Sequence, residues 1–160
     1  MQIAGIVRDS IVDGIGVRDV IFVQGCGRHC KGCHNSQTWD YLGGKHMFTT
    51  EIMKELSNSS NDITISGGEP LDQIDRLLVL LSTIKRETNK KVWLYTGNTV
   101  DITKNTYQLL GLYVECIVDG AYVEELRDPN LRFRGSSNQR IIDIKKSLKA
   151  NSIVLWEECE

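Results

Sequence analysis

DITISGGEPLDQIDRLLVLLSTIKRETNKKVWLYTG, residues Asp62 to Gly97, reads as a strand, a glycine turn, a helix and a second strand. Asp62 to Ser66 is a short β-branched run, and Gly67-Gly68-Glu69-Pro70 stops it with a turn. Leu71 to Glu87 then carries Leu77, Leu78, Leu81 and Ile84 at helical spacing. Lys91 to Tyr95 returns to strand character and ends in Thr96-Gly97. Strands that alternate with helices in this way pair in parallel, each joined to the next by a crossover helix.

The same alternation extends outward on both sides. Upstream, Val20 to Gln24 reads as a buried strand stopped by Gly25. Thr49-Thr50, followed by Glu51, Ile52, Met53 and Leu56, reads as a capped helix start, broken by the Ser and Asn cluster at 57–61. Downstream, Asp101 to Leu110 is an expected helix and Val114 to Val118 an expected strand ending in Asp119-Gly120. From Ala121 a loop rich in Glu, Arg and Asp takes over, followed by strand-like Arg140 to Ile144 and Ser152 to Trp156. At roughly 30 or more residues per strand-helix unit the chain holds about four or five units. A closed eight-fold barrel needs about 250 residues. The expected fold is therefore α/β, a partial (open) β/α barrel of mostly parallel sheet, with residues 1–160 forming a single domain.

The chain has 160 residues, 41% of them hydrophobic and 25% charged, which excludes disordered and fibrous classes. Its formal charge of -2 gives no overall field for nucleic acid or an anionic membrane. The longest nearly apolar run, Leu77 to Ile84, is interrupted by Ser82 and is far short of the roughly 20 residues of a bilayer span. Arg8 and Asp9 stand where a signal peptide has its apolar core, so a cytoplasmic protein with neither a nucleic-acid nor a membrane partner is expected.

Five cysteines, three of them within Cys26-Gly-Arg-His-Cys30-Lys-Gly-Cys33, are poorly spaced for a disulfide framework. Thiolates are the ligands of iron–sulfur clusters. Three of them on a four-iron cubane leave one iron open to chelate a substrate. Two competing readings use the same residues. One is structural zinc with His34 or His29 as fourth ligand, and the other is a redox pair, Cys30 and Cys33, in a thioredoxin-like domain. Cys116, on an apolar run, reads as a small core residue, and Cys159 as an exposed terminal thiol.

Ser66-Gly67-Gly68-Glu69-Pro70 bears on the choice. Its glycines admit close approach of a ligand to the backbone, and the Glu69 carboxylate offers an acceptor to an ammonium group. Alone it reads first as a glycine turn with a capping acid, and it is the pairing with C-x3-C-x2-C upstream that makes it specific. Trp39, Trp93 and Tyr95 are candidates for a pocket wall or for core, and Asp119-Gly120 for a ligand contact at a strand end or a plain turn.

C-x3-C-x2-C on the loop after the first strand, with GGEP downstream, resembles the radical S-adenosylmethionine superfamily. Gly14-Ile-Gly16-Val-Arg18, the loop Cys26 to Trp39, VWLYTG from Val92 to Gly97, Val118-Asp119-Gly120 and Phe133-Arg134-Gly135-Ser136-Ser137-Asn138-Gln139 narrow the likeness. Together they resemble the activating proteins of anaerobic (class III) ribonucleoside-triphosphate reductase. Gly32 stands where the broad superfamily often has an aromatic residue, and the activating subgroup commonly has glycine there.

The resemblance implies that Cys26, Cys30 and Cys33 hold a 4Fe–4S cluster whose open iron binds S-adenosylmethionine. It places backbone of Gly32, Cys33 and His34 against that cofactor, and Gly68 with Glu69 at its methionyl ammonium. It implies reductive cleavage to a 5′-deoxyadenosyl radical, which makes a glycyl radical on the large subunit of the reductase. The implied electron donor is reduced flavodoxin or a similar carrier. No side chain is assigned a catalytic role, and Arg127, Arg132 and Arg134 with GSSNQ are candidates for shaping or docking at the rim. Two alternatives stay open: an activase of another glycyl-radical enzyme, and a zinc-stabilised binding module.

Overall fold

A computed structural model describes residues 1–157. Its sheet has seven strands, in the order β3-β1-β2-β4-β5-β6-β7. In chain order these are β1 (Gln2–Ser10), β2 (Arg18–Val23), β3 (Lys45–His46), β4 (Asp62–Gly67), β5 (Val92–Thr96), β6 (Cys116–Asp119) and β7 (Arg140–Asp143). The helices are α1 (Thr49–Ser57), α2 (Ile74–Glu87), α3 (Asn105–Leu110) and α4 (Ile144–Ala150).

The sheet is mixed. Its centre, β2-β4-β5-β6, is parallel, with α1, α2 and α3 in the successive connections. The outer pairings, β1 with β2, β1 with β3 and β6 with β7, are antiparallel. Among the described residues no barrel is closed, and β3 and β7 end the sheet. The strand-like Ser152 to Trp156 contributes a single bridge, Leu155 to Ile142, beside β7.

Side-chain alternation separates the two faces of the sheet. Ile21, Val23, Ile63, Ile65, Val92, Leu94 and Ile117 enter one core cluster together with Ile52 and Leu56 of α1, Leu77, Leu80, Leu81 and Ile84 of α2, Leu110 of α3 and Ile144 of α4. All four helices therefore cover the same face. On the opposite face Trp93, Cys116 and Val118 form a second cluster with Tyr95, Phe133, Ile141 and Trp156. Among the described residues that face carries no helix, which leaves it to loops and to the cleft described below.

Several boundaries differ from expectation for local reasons. The α2 helix begins at Ile74 because Pro70–Gln73 first makes a 3-10 turn whose leading N–H, Leu71, is held by the Glu69 carboxylate. The α1 cap is Phe48, whose N–H donates to Glu51 at 2.7 Å, rather than a threonine hydroxyl. Cys159 lies outside the described residues. Among those residues no helix is long and apolar enough to cross a membrane.

Candidate functional site

The cysteine loop leaves β2 at its C-terminal end and is folded back by its own neighbours. The buried Gln24 carboxamide donates to the carbonyls of Gln37 and Asp40. The N–H groups of Gly25 and Cys26 donate to Thr38 and Trp39 at 2.7 and 3.1 Å. Gly25, at φ 102°, occupies backbone that favours glycine. Cys26 is buried, Cys30 and Cys33 are half-buried, and all three line one cleft of about 680 Å³.

The glycine turn after β4 forms the facing wall. Gly68 N–H donates to Val23 and Glu69 N–H to Gly25, both at 2.8 Å. A Cβ at Gly68 would collide with the Gly25 carbonyl, so this glycine admits the cysteine loop's own backbone. The Glu69 carboxylate is 2% exposed and is held by Thr96 Oγ1 at 2.8 Å, Leu71 N–H at 3.0 Å, Gly97 N–H at 2.9 Å and Arg28 Nε at 3.4 Å. Those four donors match the acceptor capacity of a carboxylate. Glu69 therefore acts first as the clasp joining the turn, β5 and the cysteine loop.

The sulfurs have polar neighbours of their own. Asn35 N–H lies 3.4 Å from Cys33 Sγ. Burial pushes the Cys26 thiol up, the backbone N–H groups of Arg28 and His29 oppose that rise, and the Glu69 charge adds to it. Hydrogen bonds of this type tune the potential of iron–sulfur centres, so the donor set fits such a cluster. A zinc ion needs four donors around one point. Among the described residues no three His, Cys, Asp or Glu side chains converge on one point, the three cysteines included, so convergence by itself does not separate zinc from a cluster. Of the two imidazoles of the zinc reading, His29 stacks on Trp39 at 4.6 Å, and His34, which lines the cleft, packs against Tyr122 at 5.3 Å.

A family model described as a 4Fe-4S single cluster domain matches residues 12–142. The anaerobic ribonucleoside-triphosphate reductase-activating protein of Vibrio cholerae serotype O1 is 36% identical over 142 residues, covering 82% of this chain and 91% of that protein. The proteins of the same name from Escherichia coli K12 and Enterobacteria phage T4 are 36% and 38% identical, covering 81% and 82% of this chain and 90% and 87% of theirs. The chain belongs to the anaerobic ribonucleoside-triphosphate reductase-activating proteins.

In this activating protein the segment after β6 walls the rest of the cleft. The Gln139 carbonyl oxygen of the side chain accepts from Gly135 and Ser136 N–H, and its amide donates to Gly120. Asn138 donates to Ala121, Arg134 to the Gln139 carbonyl, and buried Ser136 accepts from Val123 N–H. The GSSNQ segment thus holds the rim in shape through its own side chains. Arg127, Arg132 and Arg134 all line the cleft.

The structure sorts the other candidates. Trp93 is core, Tyr95 is at the cleft, and Trp39 belongs to the cysteine loop. Asp119 is a buried structural acid, accepting from Val100 N–H and paired with Arg140, while Gly120 reaches the cleft. Cys116 is sealed beside Trp93, where burial pushes its thiol far up. Arg18 of the Gly14 to Arg18 motif is 1% exposed, donates to Thr64 and to the carbonyls of Ile15, Ile63 and Lys91, and lies over Trp93. Arg28, which also lines the cleft, is marked in the sequence only by its position between Cys26 and Cys30.

Proposed function

We propose that this activating protein is a radical S-adenosylmethionine enzyme, and that its target is the anaerobic ribonucleoside-triphosphate reductase named in its relatives. The observation that carries the reading is that Cys26, Cys30 and Cys33 face the Gly67 to Glu69 turn across one cleft at the C-terminal ends of parallel strands. When bound, a 4Fe–4S cluster on the three thiolates supplies the electron that cleaves S-adenosylmethionine to methionine and a 5′-deoxyadenosyl radical.

The chain's own residues bind, orient and exclude water. Backbone at Gly32, Cys33 and His34 lies against the cofactor. Gly68 and Glu69 receive the methionyl ammonium through the backbone of their turn, since the four donors on the Glu69 side chain hold that turn in place. The helix-free face of the sheet, read as the inside of a partial barrel, leaves the cleft open for a glycine-bearing loop of the reductase. That loop supplies the missing wall and would give up a hydrogen atom to the 5′-deoxyadenosyl radical, leaving 5′-deoxyadenosine and a glycyl radical on the partner. Reduced flavodoxin or a similar carrier is the donor in this reading, and the setting is cytoplasmic.

Anaerobic assay of iron- and sulfide-reconstituted protein with dithionite and S-adenosylmethionine tests it. Formation of 5′-deoxyadenosine, with a glycyl radical seen by electron paramagnetic resonance when the reductase is present, is expected. Deoxyadenosine without that radical would keep the chemistry and move the target to another glycyl-radical enzyme. Neither signal, from protein with a full iron complement, would overturn the proposal.

A further inference from the structure

Arg28 lies between the first two cysteines, and its side chain crosses the cleft to the opposite wall. Its Nε is 3.4 Å from Glu69 Oε2, and its Nη2 donates to Asn98 Oδ1 at 2.5 Å. Both acceptors are fixed independently. The Glu69 carboxylate is held by Thr96, Leu71 and Gly97. Asn98 is held by Thr96 Oγ1, which accepts from both its N–H and its side-chain amide, and its carbonyl accepts from Gly120 N–H. The guanidinium therefore spans two points of a rigid frame at the end of β5, and it is the cation paired with the Glu69 carboxylate.

Gly97 carries an independent record of this path. Its φ does not lie in the left-handed region, so its backbone makes no demand for glycine. A Cβ there would stand 2.5 Å from both Cδ and Nε of Arg28. The space that Gly97 leaves is filled by the arginine.

We propose that Arg28 is a positioning residue, which sets the cysteine loop against the Gly67 to Glu69 turn and thereby the alignment of the cluster with the methionyl end of S-adenosylmethionine. This rests on the function proposed above. Arg28 also brings a positive charge into the cysteine loop, which favours electron entry into a cluster held there. The two effects separate by chemistry. Lysine keeps the charge but, as a point donor, cannot span Glu69 and Asn98 together.

The test uses reconstituted, anaerobic protein, with S-adenosylmethionine affinity read from the change it makes in the cluster's electron paramagnetic resonance spectrum, and the cluster potential read by titration. Arg28→Gln is expected to weaken affinity about tenfold, comparable to one charge-assisted hydrogen bond, and to move the potential to more negative values. Arg28→Lys is expected to restore the potential but not the affinity. Gly97→Ala, which crowds the arginine side chain from β5 and leaves every residue of the cysteine loop unaltered, is expected to weaken affinity in the parent and to add nothing to Arg28→Gln. If Arg28→Gln fails to retain iron, Arg28→Lys and Gly97→Ala carry the comparison. Parent-like affinity in both Arg28 variants, or losses at Arg28 and Gly97 that multiply as independent sites, would overturn the inference alone. A parent protein that holds its cluster but shows no response to S-adenosylmethionine would overturn the proposed function and this inference with it.

Discussion

The Tyr95 hydroxyl donates to the Phe133 carbonyl at 2.7 Å, joining the end of β5 to a residue whose backbone stands at φ 59°. A bulky residue in the left-handed region is costly, and such strain persists only where the surroundings over-determine it. Here the surroundings are the Tyr95 bond, the Trp93 ring edge-on to Phe133 at 5.6 Å, and the Arg132 guanidinium over the Phe133 ring at 5.0 Å. Burial pushes the Tyr95 hydroxyl far up, so it remains a donor across the physiological range. Tyr95→Phe should lower stability by about 1 kcal/mol, the net value of one hydrogen bond. Amide exchange should quicken across residues 128–135 and stay unchanged in α2. Equal exchange in the two proteins would show that the bond does not hold the segment.

Gln139 is the corresponding clasp at the other end of that segment. Its truncation in Gln139→Ala orphans the N–H groups of Gly135 and Ser136 and the Gly120 carbonyl. A cost of roughly 1–3 kcal/mol is expected. Iron content should survive, because the cysteine loop is untouched, while activation of the reductase falls further than deoxyadenosine formation. The ratio of radical formed to deoxyadenosine released measures the difference. An unchanged ratio would remove the clasp from the partner rim.

What the sequence discloses and what it hides follow from the range of the interactions. Ile63, Ile65, Val92 and Leu94 alternate along their strands and mark the parallel centre without ambiguity. The β1 strand is harder to see: its residues are mostly half-exposed, Gly5 and Asp9 interrupt it, and its register with β2 shifts twice. The helix expected from Asp101 begins only at Asn105, because the Asp101 carboxylate takes the N–H and hydroxyl of Thr103 into a local turn. The cysteines and GGEP mark the two walls as local motifs. That Glu69 is a clasp depends on Thr96, Gly97 and Arg28, which no local spacing connects to it.

Gly32 and Gly16 make a matched pair for the cysteine loop. Both are left-handed, at φ 73° and 76°. A Cβ at Gly16 meets nothing within 4 Å, whereas one at Gly32 runs into the Glu124 carboxylate. Gly16→Ala should therefore cost only the left-handed penalty, about 1–2 kcal/mol. Gly32→Ala carries that penalty and in addition swings the end of the Glu124 side chain off the cysteine loop and away from the Tyr122 hydroxyl. Iron retained after reconstitution should be normal in the first variant and lower in the second. Equal retention would mean that the contact with Glu124 does not shape the site.

The cysteines divide in the same manner. Cys33→Ala should abolish cluster retention, since it removes a thiolate lining the cleft. Cys116→Ala leaves a small void beside Trp93 and should cost about 1 kcal/mol, as for deletion of one buried group. Its iron-to-protein ratio and visible absorbance should equal those of the parent. Loss of iron in Cys116→Ala, with stability nearly intact, would make that buried thiol a ligand and displace the assignment of three.

Asp19, at the end of β2 away from the cleft, links stability to pH. Burial by itself would raise its carboxyl, but hydrogen bonds from Asn61 and Ser59 and the Arg8 charge outweigh burial and hold it below the usual range. Arg8 Nη1 stands at 3.1 Å and Asn61 Nδ2 at 2.9 Å. A carboxyl depressed in the folded state binds its proton more tightly when unfolded, so unfolding takes up a proton between the two values. The contribution is complete above the unfolded value of about 4 and disappears as pH falls through the folded one. Asp19→Asn should cost about 1–2 kcal/mol at pH 7, a charge-assisted bond discounted for the partly exposed Arg8. From about pH 4 downward the two proteins should begin to converge in stability, and they meet only once pH has fallen through the lower folded value. Denaturant midpoints measured from pH 3 to 7 on the iron-free protein read this directly. A gap that persists unchanged into acid would show that the loss comes from packing and not from the charge on Asp19.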